Sequence, residues 1–148
     1  VSGPADGISS FTSNGNITLT GLYEPAATAS FRAQGGDITG NIDGLFATES
    51  FSTGSIALTS TGSAALGVGT AGGGNIRVRT TAVGANIAYA SLSADSTISL
   101  DAAAGIVGPG AANAGGDLTM RGTTSLDLGA LTSGGGGVAG CGGDCIGH

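Results

Sequence analysis

Six short segments along the chain share one pattern: a small or polar residue, usually after glycine, then an Ile or Leu that opens an alternation of apolar and polar positions. They read GNITL from Gly15, GDITG from Gly36, GSIAL from Gly54, GNIRV from Gly74, STISL from Ser96 and GDLTM from Gly116; a weaker seventh, GGVAG, starts at Gly136. The apolar anchors Ile17, Ile38, Ile56, Ile76, Ile98, Leu118 and Val138 are separated by steps of 21, 18, 20, 22, 20 and 20 residues. Alternation with a period of two is the mark of a strand with one buried face. A repeat near twenty residues with glycine punctuation predicts a solenoid, in which each coil packs only on its neighbours. The expected fold class is all-β, a parallel β-helix of about 20 residues per rung and six to seven rungs. At a strand spacing of about 4.8 Å such a stack is some 30 Å long.

Setting the anchors inward assigns every strand position to a face. Ile17, Ile38, Ile56, Ile76, Ile98 and Leu118 form a core ladder, joined two residues on by Leu19, Leu58, Val78, Leu100 and Met120. Only the second rung breaks step, with Gly40 after Ile38 and then Ile42. Burying one such aliphatic side chain contributes about 1.5–3 kcal/mol, so these columns are the expected spine of stability. The outward positions run Thr18, Thr39, Ala57, Arg77, Ser99, Thr119 and then Thr20, Asn41, Thr59, Arg79, Asp101, Arg121. Stacking at that register puts Asp101 between Arg79 and Arg121, an outward charge ladder that fixes alignment more than it adds stability.

The remainder of each rung is less regular. A second strand is expected around 29–32, 45–48, 63–66, 87–92 and 125–128. The glycine-rich stretches 67–74, 105–116 and 134–137 read as turns, and 23–27, with Pro25, as a bulging loop. Residues 1–15 form a lead-in strand or cap, with a loose strand at 8–11; 16–137 carry the repeats, and 138–148 form a tail containing both cysteines.

Composition narrows the function classes. Tryptophan is absent and aromatics are 4% of the chain, which a narrow solenoid interior tolerates and a compact globule of this size does not. Ten acidic residues against four arginines, with no lysine, give a net charge of −6. That balance opposes nucleic acid and anionic lipid as partners. No apolar stretch approaches the length of a membrane span.

These residues carry a family resemblance. The string of G-[N/D/S]-[I/L]-x-[L/V/M] units, and above all GDLTMRGTTSLDLGALTSGGGG from Gly116, resembles the repeat region of filamentous-haemagglutinin-like exoproteins of two-partner secretion. The likeness covers nearly the whole chain, through a motif of low information content that recurs in other β-solenoids. It implies a right-handed β-helix secreted to the surface of a Gram-negative bacterium, serving adhesion or surface structure. Such exoproteins are usually far longer, and the Asn-Pro-Asn-Gly signature of their secretion module does not occur here. The chain then reads as a small subunit whose uncapped ends stack head to tail into a filament, or as an excised segment of a large adhesin that binds a host or surface ligand.

The C-terminal CGGDCIGH holds Cys141, Cys145 and His148. A disulfide between Cys141 and Cys145 is the favoured reading, because Gly-Gly lets a short loop close and exported proteins keep disulfides; some members of the family carry such a pair. Inter-subunit disulfides and a Cys141–Cys145–His148 metal site are the other two readings, the latter one ligand short of a zinc site. No cofactor is expected.

Catalysis is not expected. The single histidine is His148. Asp37 with Asp43, and Asp101 with its arginines, are the nearest things to an acid–base set, and Asp37 sits in the polar slot before the anchor that Asn16, Ser55, Asn75 and Asp117 also fill, which favours a turn or ladder role. Glu24 and Glu49 have no evident partner. Ice or glycan binding is a further reading, on Thr18-Leu19-Thr20 and Thr59-Ser60-Thr61, although the arginines and Asp101 interrupt the array. Phe46 and Phe51, read as lying on one loop region, are candidates for a contact.

Overall fold

The computed structural model describes residues 2–4, 10–23, 30–135 and 137–142, with the backbone alone for 2–4, 141 and 142. The described residues form strands and tight turns with no helix, and the pairings between strands are parallel. They make a β-solenoid of about 6 turns repeating near every 20 residues. Coiling satisfies the backbone, because each coil gives its N–H and C=O groups to the coils before and after it.

Each turn has three faces. The first is built from Ile17–Tyr23, Ile38–Phe46, Ile56–Ser60, Ile76–Thr80, Ile98–Ala102, Leu118–Gly122 and Val138–Gly142, with Ser2–Pro4 alongside. The second holds Ala64–Ala65, Ile87–Ala88, Gly105–Gly108 and Ser125–Leu128, together with the far ends of the two long strands. Ile38–Phe46 runs round the corner, pairing with Ile56–Ser60 at one end and Ala64–Ala65 at the other, and so joins both faces into one sheet. The third face is a separate sheet of Ser10–Ser13, Ser30–Ala33, Glu49–Ser52, Val68–Ala71, Ser91–Ala94, Ala112–Ala114 and Leu131–Ser133.

On the first face Ile17, Ile38, Ile56, Ile76, Ile98, Leu118 and Val138 are partners coil by coil. The first six are buried, as are Leu19, Leu58, Val78, Leu100 and Met120 two residues on. In the second rung, where Gly40 takes the inward place, the long strand recovers with buried Ile42 and Leu45.

Three strands per coil correct the expectation of two. Residues 67–74 are not simply a turn but contain Val68–Ala71, and 105–116 contain both Gly105–Gly108 and Ala112–Ala114. The single strand expected at 87–92 is two, Ile87–Ala88 and Ser91–Ala94, on either side of a corner. The one expected at 29–32 is Ser30–Ala33, while Ser125–Leu128 falls where the pattern put it. The lead-in strand is Ser10–Ser13, paired to Ser30–Ala33, and Val138–Gly142 pairs with Leu118–Gly122, so the coils run past residues 16 and 137 in both directions. Of the loop expected at 23–27, Tyr23 is buried at a strand end, and the others lie outside the described residues.

Most of the third face lacks a clear alternation, because small residues interrupt its inward columns. The columns run Phe31, Ser50, Gly69, Leu92, Ala112, Leu131 and Ala33, Ser52, Ala71, Ala94, Ala114, Ser133. Buried serines there turn to the backbone: Ser50 Oγ donates to the Leu66 carbonyl at 3.1 Å and Ser52 Oγ to that of Gly36 at 2.6 Å. Aromatic rings fill the interior at the N-terminal end, where Phe11 stacks on Phe31 at 5.5 Å and Tyr23 meets Phe31 edge-on at 5.6 Å.

Candidate functional site

The polar slot before each anchor is a hydrogen-bond ladder at the corner between the third and first faces. Asn16 Oδ1 accepts the N–H of Asp37 at 2.9 Å, Asp37 Oδ1 that of Ser55 at 2.6 Å, Ser55 Oγ that of Asn75 at 3.0 Å and Asn75 Oδ1 that of Thr97 at 3.0 Å. Each side chain thus caps a donor one coil further on, which a corner would otherwise leave unpaired. A shorter ladder of the same kind stands at the next corner, where Ser63 Oγ accepts from Asn86 N–H at 3.0 Å and Asn86 Oδ1 from Gly105 N–H at 2.8 Å. Asp37 is one rung of the first ladder. Asp43 lies at the opposite corner of the face, so the two carboxylates are not a pair.

The outward columns of the first face stack in the order read from the pattern. Thr39, Ala57, Arg77, Ser99 and Thr119 are successive partners, as are Asn41, Thr59, Arg79, Asp101 and Arg121. Arg79 Nε lies 3.6 Å from Asp101 Oδ2. Arg121, on the other side of Asp101, has no carboxylate in ion-pair range among the described residues, and neither has Arg77. Because its ladder neighbours Ala57 and Ser99 are small, Arg77 stands between two open furrows of about 410 and 270 Å³.

Elsewhere the structure makes pairings that the pattern did not suggest. Glu49 is held by Arg32 at 2.6 Å, and the same guanidinium lies 4.6 Å from the centre of the Phe51 ring. No local spacing signals that cluster, since 17 residues separate the charged partners. Phe46 and Phe51 do not share a loop: Phe51 faces out from the third face under Arg32, whereas Phe46, 53% exposed, projects from the second. Phe46, Ala65, Ala88 and Val107 are partners in one outward column, and with Pro109 they border an apolar groove of about 390 Å³.

Burial raises the hydroxyl pKa of both Tyr23 and Tyr89 above the usual phenol value. For Tyr23 a backbone hydrogen bond opposes the shift, its hydroxyl oxygen accepting the Thr20 N–H at 3.0 Å.

Cys145 and His148 lie outside the described residues, as does the Cys141 side chain, and with them the disulfide and metal readings. The Cys141 backbone is partnered with Arg121 on the first face. Among the described residues no three His, Cys, Asp or Glu side chains cluster to hold a metal ion. In comparisons with known proteins, no family model matches this chain, and no match to it was found among the curated proteins or the solved structures.

Proposed function

We propose that this chain is an extracellular structural and adhesive β-solenoid, whose coils continue into further coils by backbone pairing. The observation that carries the reading is a loss of burial at one end of the stack. Ile106 and Ala112 are fully buried, but Leu126 and Leu131, their partners in the last described coil, are only half-buried, and Val138 is 41% exposed. Among the described residues these inward columns form an apolar end face with strand edges on it, suited to another coil of the same cross-section. A second copy supplies that coil in a filament, and more of the same polypeptide supplies it in a long adhesin.

Electron microscopy of the purified 148-residue chain, with and without reductant, tests this. Long unbranched fibres one solenoid wide are expected, and their loss on reduction assigns Cys141 and Cys145 to inter-subunit staples. Discrete particles, monomeric by light scattering, overturn self-stacking.

A further inference from the structure

The distribution of charge on this molecule is lopsided. The chain carries a net charge of −6, yet three of its four arginines (Arg77, Arg79 and Arg121) point outward from the first face, with Asp101 the carboxylate in their two outward columns, Asp43 at one corner of the face, and Asp37 and Asp117 in the polar slot at the other. The fourth, Arg32, is engaged by Glu49 and Phe51 on the third face. On the first face only Arg79 is spent on an ion pair. Arg77 and Arg121 are exposed cations with no acidic partner among the described residues, on a protein whose other charges are mostly negative.

Their arrangement suits an extended polyanion better than a single anion. Arg121 lies two coils and two strand positions from Arg77, so their backbones are separated by about 12 Å at ordinary strand and residue spacings. Between and beside them lie the hydroxyls of Ser99 and Thr119 and the amide of Asn75, whose Oδ1 is taken by Thr97. The two furrows beside Arg77 leave its guanidinium fork accessible from both sides. A guanidinium binds a carboxylate with two parallel hydrogen bonds, and neutral hydroxyl and amide groups match sugar hydroxyls.

We propose that the first face binds an acidic, carboxylate-bearing polysaccharide laid across its coils, held by Arg77 and Arg121. Nucleic acid is disfavoured: two free guanidiniums neutralise few phosphates against the net charge, and no aromatic side chain on this face offers a stacking platform. The inference names a ligand class for the adhesive part of the function proposed above and rests on it. Fibres that do not bind the polysaccharide would remove only this ligand assignment, and a monomer that binds it would remove only the self-stacking.

The test is calorimetric titration of the purified chain with polygalacturonate at low salt, with neutral dextran and single-stranded DNA as comparison ligands. Binding to polygalacturonate that weakens with added salt is expected, with none to dextran and weaker binding to DNA. The exposed double variant Arg77→Gln/Arg121→Gln, checked for folding by circular dichroism, is expected to bind at least about tenfold more weakly. Asp101→Asn, which removes the carboxylate between Arg79 and Arg121 and frees Arg79, is expected to bind more tightly, and Arg32→Gln to bind as the parent does. No binding to polygalacturonate, equal binding to dextran, tighter binding to DNA, or an unchanged affinity in the double variant overturns the proposal.

Discussion

The ring of Tyr89 occupies the space that a side chain at Gly108, one coil further on in the same inward column, would need. A β-carbon at Gly108 would collide with the ring itself rather than with the end of a flexible chain. Gly108→Ala is therefore expected to destabilise the solenoid by about 1–3 kcal/mol. Combining it with Tyr89→Leu should cost less than the two single changes together, since the smaller side chain vacates the space. Urea denaturation of the four proteins measures this, and strict additivity would refute the contact.

The corner ladder makes a distinction between acceptor and charge. Asp37→Asn keeps an oxygen for the Ser55 N–H and should be close to neutral. Asp37→Ala leaves that donor without its partner and should cost about 0.5–1.5 kcal/mol, measured by thermal or urea unfolding. A loss as large for Asn as for Ala would show that the negative charge itself is what matters.

Ser60 points inward in the column between Ile42 and Thr80, and its buried hydroxyl has no hydrogen-bond partner among the described residues. Leaving a polar group so costs about 1–3 kcal/mol. Ser60→Ala should accordingly raise the unfolding midpoint, in contrast to Thr80→Ala, which removes bonds to the Ala85 carbonyl and the Ala103 N–H. A Ser60→Ala protein less stable than its parent would contradict the assignment.

Tyr23 and Tyr89 have folded-state pKa values raised by burial, so the folded protein holds their protons to higher pH than the unfolded chain does. Unfolding then releases protons above the ordinary phenol value of about 10, and raising the pH favours it. Their contribution to stability is complete below that value and is lost as the pH climbs through the folded pKa values. Urea midpoints measured across the alkaline range should fall there, and fall less in a Tyr89→Phe protein.

What the sequence by itself determined is the first face. Its anchors are large aliphatics in strict alternation with polar residues, and the repeat stacks like on like, so Ile76 falls beside Ile56 and Ile98, and Asp101 between Arg79 and Arg121. That information is local: a period of two within a strand, and one step from coil to coil. Over most of the third face there was no such signal, because Ser50, Gly69 and Ala112 are inward without being apolar enough to mark a strand. They are buried only because Phe31 and Leu92, in the same column, fill the volume they leave. The tertiary structure alone decided which polar side chains cap which donors in the corner ladder, that Arg32 reaches Glu49 while Arg77 has no acidic partner among the described residues, and that Tyr89 packs over Gly108. Each of these depends on how far one coil is displaced and turned relative to the next, a relation between distant residues set by packing and not by the alternation within any strand.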